Sequence, residues 1–63
     1  MKEILTIRLQ KREISYVVRK LYELEDGTQI YISNVFPQVI RVQDSKVTIG
    51  KSVYELVKKE QMQ

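Results

Sequence analysis

Glu25-Asp26-Gly27-Thr28 constrains the fold of this chain more than any other segment. Glycine tolerates the positive φ of a tight reversal, and the acidic residues beside it favour a turn. Residues 28–33, TQIYIS, follow it and are rich in β-branched and aromatic types. A hairpin also needs a strand before its turn. The preceding stretch, EISYVVRKLYEL over residues 13–24, reads two ways. At period two, Ile14, Tyr16, Val18, Tyr22 and Leu24 share a face that Lys20 interrupts. At period 3.6, Ile14, Val17, Val18, Leu21 and Leu24 form an equally good helical stripe. The turn, the Ile/Val/Tyr content and the missing N-cap residue favour one long strand. The adjacent pair Val17-Val18 predicts a bulge where that strand bends.

The rest of the chain supports a β meander. In Lys2–Leu9, Leu5, Ile7 and Leu9 alternate with Ile4, Thr6 and Arg8, as in a strand with one core face. Asn34-Val35-Phe36-Pro37 breaks the pattern, since proline cannot donate to a ladder. QVIRVQ, Asp44-Ser45 and KVTIG read as a further hairpin ending at Gly50. Ser52 and Glu55 have capping-box spacing, Val53, Leu56 and Val57 share a helical face, and Lys58 and Lys59 suit a helix C-terminus. The pattern predicts a mainly β chain: a five-stranded antiparallel meander over one 63-residue domain. It curls into a small half-open barrel of SH3 or OB type, with a short helix at residues 52–60 closing one end. With a helix at 13–24 instead, ILTIRLQ followed by that helix would suggest a ribbon-helix-helix repressor, but three further strands intervene.

Composition excludes much chemistry. There is no cysteine and no histidine, so disulfides, thiolate metal sites and imidazole ligands are absent. A chain this small without staples needs an economical core or a partner that covers apolar surface. Apolar residues at 43 % and charged residues at 30 % fit a folded chain rather than a disordered one. No apolar run approaches a membrane span, and Met1-Lys2-Glu3 followed by Arg8 is no signal peptide, so a cytoplasmic location without membrane contact is expected. No cofactor is expected. Glu23, Glu25 and Asp26 lack the spacing of a calcium loop and read as a solvated turn. Gly50-Lys51-Ser52 lacks the earlier glycine of a P-loop, and reads as a strand end and helix cap whose amides could hold one anion. No nucleophile has an activating base beside it, so the chain is expected not to be an enzyme.

Charge and tyrosines carry the functional expectation. Residues 1–20 carry +4, residues 21–34 carry −3 and residues 35–63 carry +2. The basic end suggests a polyanion partner. Arg8, Lys11, Arg12, Arg19 and Lys20 on the first two strands are the candidate phosphate contacts, with edge protection as the competing explanation. Tyr22 and Tyr31 depend on hairpin register. A two-residue loop, Asp26-Gly27, sets them opposite each other as an exposed stacking pair near Lys20, with Leu21, Ile30 and Ile32 as core. A three-residue loop, Glu25-Asp26-Gly27, pairs Tyr22 with Ile30 and Tyr31 with Leu21, and places Tyr22, Leu24, Ile30 and Ile32 in the core.

No segment carries the motif of a known family. In outline alone, a small basic barrel with a C-terminal helix is similar to the Sul7-type archaeal chromatin proteins. The bacterial carbon-storage regulators also join five strands to a C-terminal helix. The chain has neither the glycine-rich, lysine-dense pattern of the first nor the Gly-Val/Ile-x-Ala-Pro segment of the second. Two expectations follow. One is low-specificity binding of DNA or RNA through the first two strands. The other is a protein-interaction or self-assembly module, a homodimer included, that uses a spare strand edge or Val35-Phe36.

Overall fold

The computed structural model describes residues 2–62. Six strands run in sequence order around a closed antiparallel barrel: β1 Lys2–Leu9, β2 Arg12–Glu23, β3 Gln29–Ser33, β4 Ile40–Gln43, β5 Lys46–Ile49 and β6 Ser52–Gln61. Every strand pairs with its neighbour in sequence, and β6 returns to pair with β1. The small β-barrel expected from the hydrophobic alternation is present. It has six strands rather than five and is closed rather than half-open, and no described residue is helical. No helix is long and apolar enough to cross a membrane.

The inner face follows period two. Leu5 and Ile7 of β1, Val18 of β2, Tyr31 of β3, Ile40 and Val42 of β4 and Val47 of β5 form the buried cluster. Ile14, Tyr16, Phe36, Ile49, Tyr54 and Leu56 pack around it, half-buried. Leu9, at the end of its strand, is exposed. Outside the barrel, Thr6 and Ser15 face each other across β1 and β2, and their hydroxyls bond at 2.8 Å.

The helix expected at residues 52–60 is a strand. Thr6 pairs with Lys58 and Ile7 with Leu56, so Val57 is an extra, bulged residue. A bulge reverses the alternation, and Leu56 and Val57 are both half-buried for that reason. The resulting spacing of Val53, Leu56 and Val57 imitates a helical stripe. Barrel closure decides between the two: β1 needs a hydrogen-bonded partner on its second edge, and only an extended β6 supplies it. With no helix present, Gly50-Lys51 is a two-residue hairpin loop, and the proposed anion site at helix amides does not exist. The outline shared with barrels that end in a helix disappears as well.

Residues 13–24 are strand, not helix. The bulge in β2 lies at Leu21, not at Val17-Val18, which stay in register with Ile4 and Glu3. At the turn, the amide of Leu24 donates to Thr28 O at 2.8 Å, closing the three-residue loop Glu25-Asp26-Gly27 with Gly27 at φ 92°. Tyr22 pairs with Ile30 as that loop requires. The Leu21 bulge then places Tyr31 opposite Lys20 instead of Leu21. Parity therefore runs opposite to the expected core face: Tyr31 points inward, and Tyr22, Ile30 and Ile32 point outward. Ile30 is only 4 % exposed but lies outside the central cluster, with Tyr22 and Arg41 as its outer-face neighbours.

The first residue of each two-residue loop is left-handed: Gln10 at φ 60°, Asp44 at 55° and Gly50 at 62°. Gly27 shares that sign, and a Cβ there would meet nothing within 4 Å. Its replacement is therefore a backbone effect alone. Gly27→Ala is expected to lower unfolding free energy by about 1 kcal/mol, read by urea denaturation. An unchanged midpoint would show that the loop does not need the glycine.

Candidate functional site

Two surfaces contain expected site residues of β2, β3 and the 34–37 connection. The first is one mouth of the barrel. Strand alternation points Glu3, Lys20, Tyr31 and Lys59 toward it, and Gln29 joins them. The Tyr31 hydroxyl lies 3.3 Å from Glu3 Oε1 and 3.1 Å from Gln29 Oε1. Lys59 Nζ donates to Gln29 Oε1 at 2.9 Å, and Lys20 Nζ to Glu23 Oε1 at 3.1 Å. Hydrogen bonds from Lys20 and Gln29 hold the Glu23 carboxyl below its ordinary range. No buried side-chain nitrogen or oxygen among the described residues is without a partner. The mouth is a satisfied polar plug, with no orphan group aimed at a ligand.

This plug removes the stacking pair. Tyr31 is 0 % exposed and cannot meet a base, whereas Tyr22, 55 % exposed, stands alone on the outer face. Burial, reinforced by the Glu3 carboxylate, pushes the Tyr31 phenol up to about 12.

The second surface lies where β2 and β3 part. β2 pairs with β1 from Arg12 to Arg19, but with β3 only from Val18 to Glu23. From Arg12 to Val17 its second edge has no strand partner. The connection between β3 and β4, residues 34–39, makes no backbone–backbone bond to it. Phe36 instead packs its ring edge-on against Tyr16, with centroids 4.8 Å apart, and covers the inner side of β2. On the outer side a groove of about 410 Å³ remains, flanked by Val17, Arg19, Ile32 and Val35, with Lys2 at its end. Val17, Ile32 and Val35 are 45 %, 38 % and 65 % exposed. Of the two residues expected on the connection, Val35 is available and Phe36 is half-buried.

The candidate basic residues do not form one patch. Arg8 lies between Glu13 at 3.4 Å and Glu55 at 3.5 Å. Lys20 is held by Glu23. Lys11, Arg12 and Arg19 have no acidic partner among the described residues. Lys11 and Arg12 lie at one end of the free edge and Arg19 just past the other, with six residues, or roughly 23 Å of strand, between Arg12 and Arg19. Arg19 faces Lys2 directly across the β1–β2 ladder, and neither cation is neutralised by an acidic side chain. Like charges in that position destabilise a sheet.

Lys2, Val17 and Ile32 join the groove although the sequence pattern marks none of them as functional and assigns Ile32 to the core. Strand length is the signal that finds them: a twelve-residue strand facing a five-residue one leaves part of its edge unpaired. Among the described residues, no group of three His, Cys, Asp or Glu side chains is placed to hold a metal ion. No family model, curated protein or solved structure matches the chain.

Two expected outcomes check these assignments. A phenol that titrates higher in the folded than in the unfolded chain contributes stability fully present below about pH 10 and lost as pH rises toward 12. The wild-type barrel should therefore lose about 2–3 kcal/mol more over that interval than Tyr31→Phe, measured by denaturant unfolding at stepped pH. Parallel pH curves would place the hydroxyl in water. Arg19→Glu should replace a repulsive cross-strand pair with an attractive one and gain up to about 1 kcal/mol. A lower melting temperature would mean that Lys2 and Arg19 do not repel.

Proposed function

We propose that this chain is a non-enzymatic binding module that receives an extended segment of another protein along the free edge of β2. One observation carries the reading: Arg12–Val17 is a strand hydrogen-bonded on one side only, and its open side borders an apolar groove. A backbone edge offers donors and acceptors to any extended chain, and the pockets beside it select side chains. Val17, Ile32 and Val35 supply such a pocket.

The geometry gives less support to low-specificity nucleic-acid binding. That reading retains Lys11, Arg12 and Arg19. It loses Tyr31 to the core and Arg8 and Lys20 to carboxylates. The remaining cations are separated by an exposed carboxylate, Glu13, and an uncharged stretch, Ile14-Ser15-Tyr16-Val17-Val18. Phosphate tracking needs a continuous basic path, and base stacking needs exposed rings along it.

Selection of a random-peptide display library on the immobilised barrel tests the proposal. Selected peptides should be extended and rich in β-branched residues. Their affinity should fall at least tenfold with Val17→Asp or Val35→Asp. Methylating alternate peptide nitrogens should abolish binding in one phase and spare it in the other, because only every second amide faces the edge. Failure to select any peptide, together with oligonucleotide binding at physiological salt that is lost in Arg12→Ala/Arg19→Ala, would overturn the proposal in favour of a polyanion partner.

A further inference from the structure

The charges at the two ends of the free edge identify the partner more closely. Lys11 and Arg12 stand at its start; Arg19, with Lys2 opposite, stands just past its end. None of the four has a carboxylate within ion-pair distance among the described residues, a condition shared by Arg41, Lys46, Lys51 and Lys59, whereas Arg8 has two such partners and Lys20 and Lys58 one each. What sets the four apart is their place at the ends of the edge. Between the two ends lie Glu13, whose carboxylate is paired with Arg8 at 3.4 Å, and the uncharged residues 14–18, of which Val17 opens onto the groove with Ile32 and Val35. The cross-strand neighbour of Val17 on the same face is the half-buried Ile4.

We infer that the occupant of this edge is an extended, acidic segment of a protein partner, with carboxylates near both ends and β-branched or aliphatic residues between them. The inference rests on the edge reading proposed above and adds its chemistry. Anionic residues at one end of the segment meet Lys11 and Arg12. Those at the other end meet Arg19, whose guanidinium can hold a carboxylate through two parallel hydrogen bonds and so relieve its repulsion with Lys2. The segment pairs over about six residues, the free stretch Arg12–Val17, because Ser33 of β3 occupies the ladder position opposite Val18; its far end reaches Arg19 through side chains alone. Its central side chain fills the groove beside Val17 and Val35.

A second copy of the chain fits poorly. Antiparallel pairing of two such edges brings Lys11 and Arg12 of one copy toward Arg19 of the other. Parallel pairing aligns like with like, and each copy carries a net charge of +3. A nucleic acid gains nothing from the apolar groove, which holds no exposed aromatic ring: Tyr16 is covered by Phe36, and Tyr22 lies beyond the Leu21 bulge.

Fluorescence anisotropy on the full chain, near physiological salt, tests this with three labelled decapeptides. One has two acidic residues at each end of an alternating Val-Thr centre. The second replaces each acid by its amide. The third keeps the acids around a Gly-Ser centre. The expected result is binding of the first about tenfold tighter than the second, the effect of two exposed ion pairs of ordinary strength. That difference should collapse in Arg12→Gln/Arg19→Gln, and the third peptide should bind more weakly than the first. Thermal melts of the double variant confirm that it is folded. Equal binding of the first two peptides, still abolished by one phase of N-methylation, would overturn the acidic partner and leave the edge reading intact. Binding of none, or binding indifferent to N-methylation, would overturn both. Equal binding of the third peptide, or tighter binding of an oligonucleotide, would reduce the site to a simple polyanion surface. A melting temperature that rises with protein concentration would make the second copy the occupant instead.

Discussion

The structure depends on β1 having a partner on each edge. It pairs with β2 from Lys2 to Leu9 and with β6 from Glu3 to Arg8, so the shortest route around the barrel begins and ends on the same strand. In a chain without cysteine, this closure takes the place of a covalent staple. It also sets the lengths of the other elements. β2 and β6 are the two long strands because each serves two neighbours, one along each half. Each must bend to do so, and each carries one bulge, at Leu21 and at Val57. β3, β4 and β5 have fewer residues and complete the ring beneath one half only. Free edges on Arg12–Val17 of β2 and Val57–Gln61 of β6 are the geometric remainder of that arrangement.

The same bulges explain what the sequence reveals and what it hides. β1, the break at Asn34–Pro37 and the hairpin around Asp44-Ser45 follow uninterrupted local rules and are legible directly. The long strands are not. An extra residue turns a period-two pattern into apolar pairs three or four apart, which is the signature of a helix. In β6 the imitation is complete, down to a capping-box spacing, and only the need of β1 for a partner resolves it. In β2 the Gly27 turn excludes the helix but does not locate the bulge. One inserted residue at Leu21 therefore inverts the assignment of the tyrosines. The free edge was legible in principle, from the length of residues 13–24 against 28–33, whereas the groove beside it depends on the path of residues 34–39, which no local pattern fixes.

Tyr31 shows how closure redistributes chemistry. Its ring fills the barrel, and its hydroxyl ends among Glu3, Gln29 and Lys59 at the mouth. A tyrosine suits this position because one end is apolar and the other seeks a polar partner. The residue that would have formed half of a stacking platform instead seals the core, and Lys20 is drawn to the same mouth. What remains outside is a set of cations at the two ends of an edge whose exposed residues between them are Glu13, Ser15 and Val17.

Edge protection is the competing explanation for those cations, since charged side chains on an unpaired strand discourage aggregation. It accounts for Arg12 and Lys11. It does not account for the rest of the edge. Protective charges work when they interrupt the strand, yet on the free edge they stop at Arg12 and Glu13; residues 14–17 carry none, and of the two exposed there, Ser15 and Val17, the second adjoins Val35 and Ile32. Nor does protection require Lys2 opposite Arg19, a pairing that weakens the ladder without shielding the unpaired backbone. On the proposed reading, a local conflict of this kind is what the binding surface costs in stability. The positions that destabilise the isolated barrel are the positions that an acidic strand would neutralise.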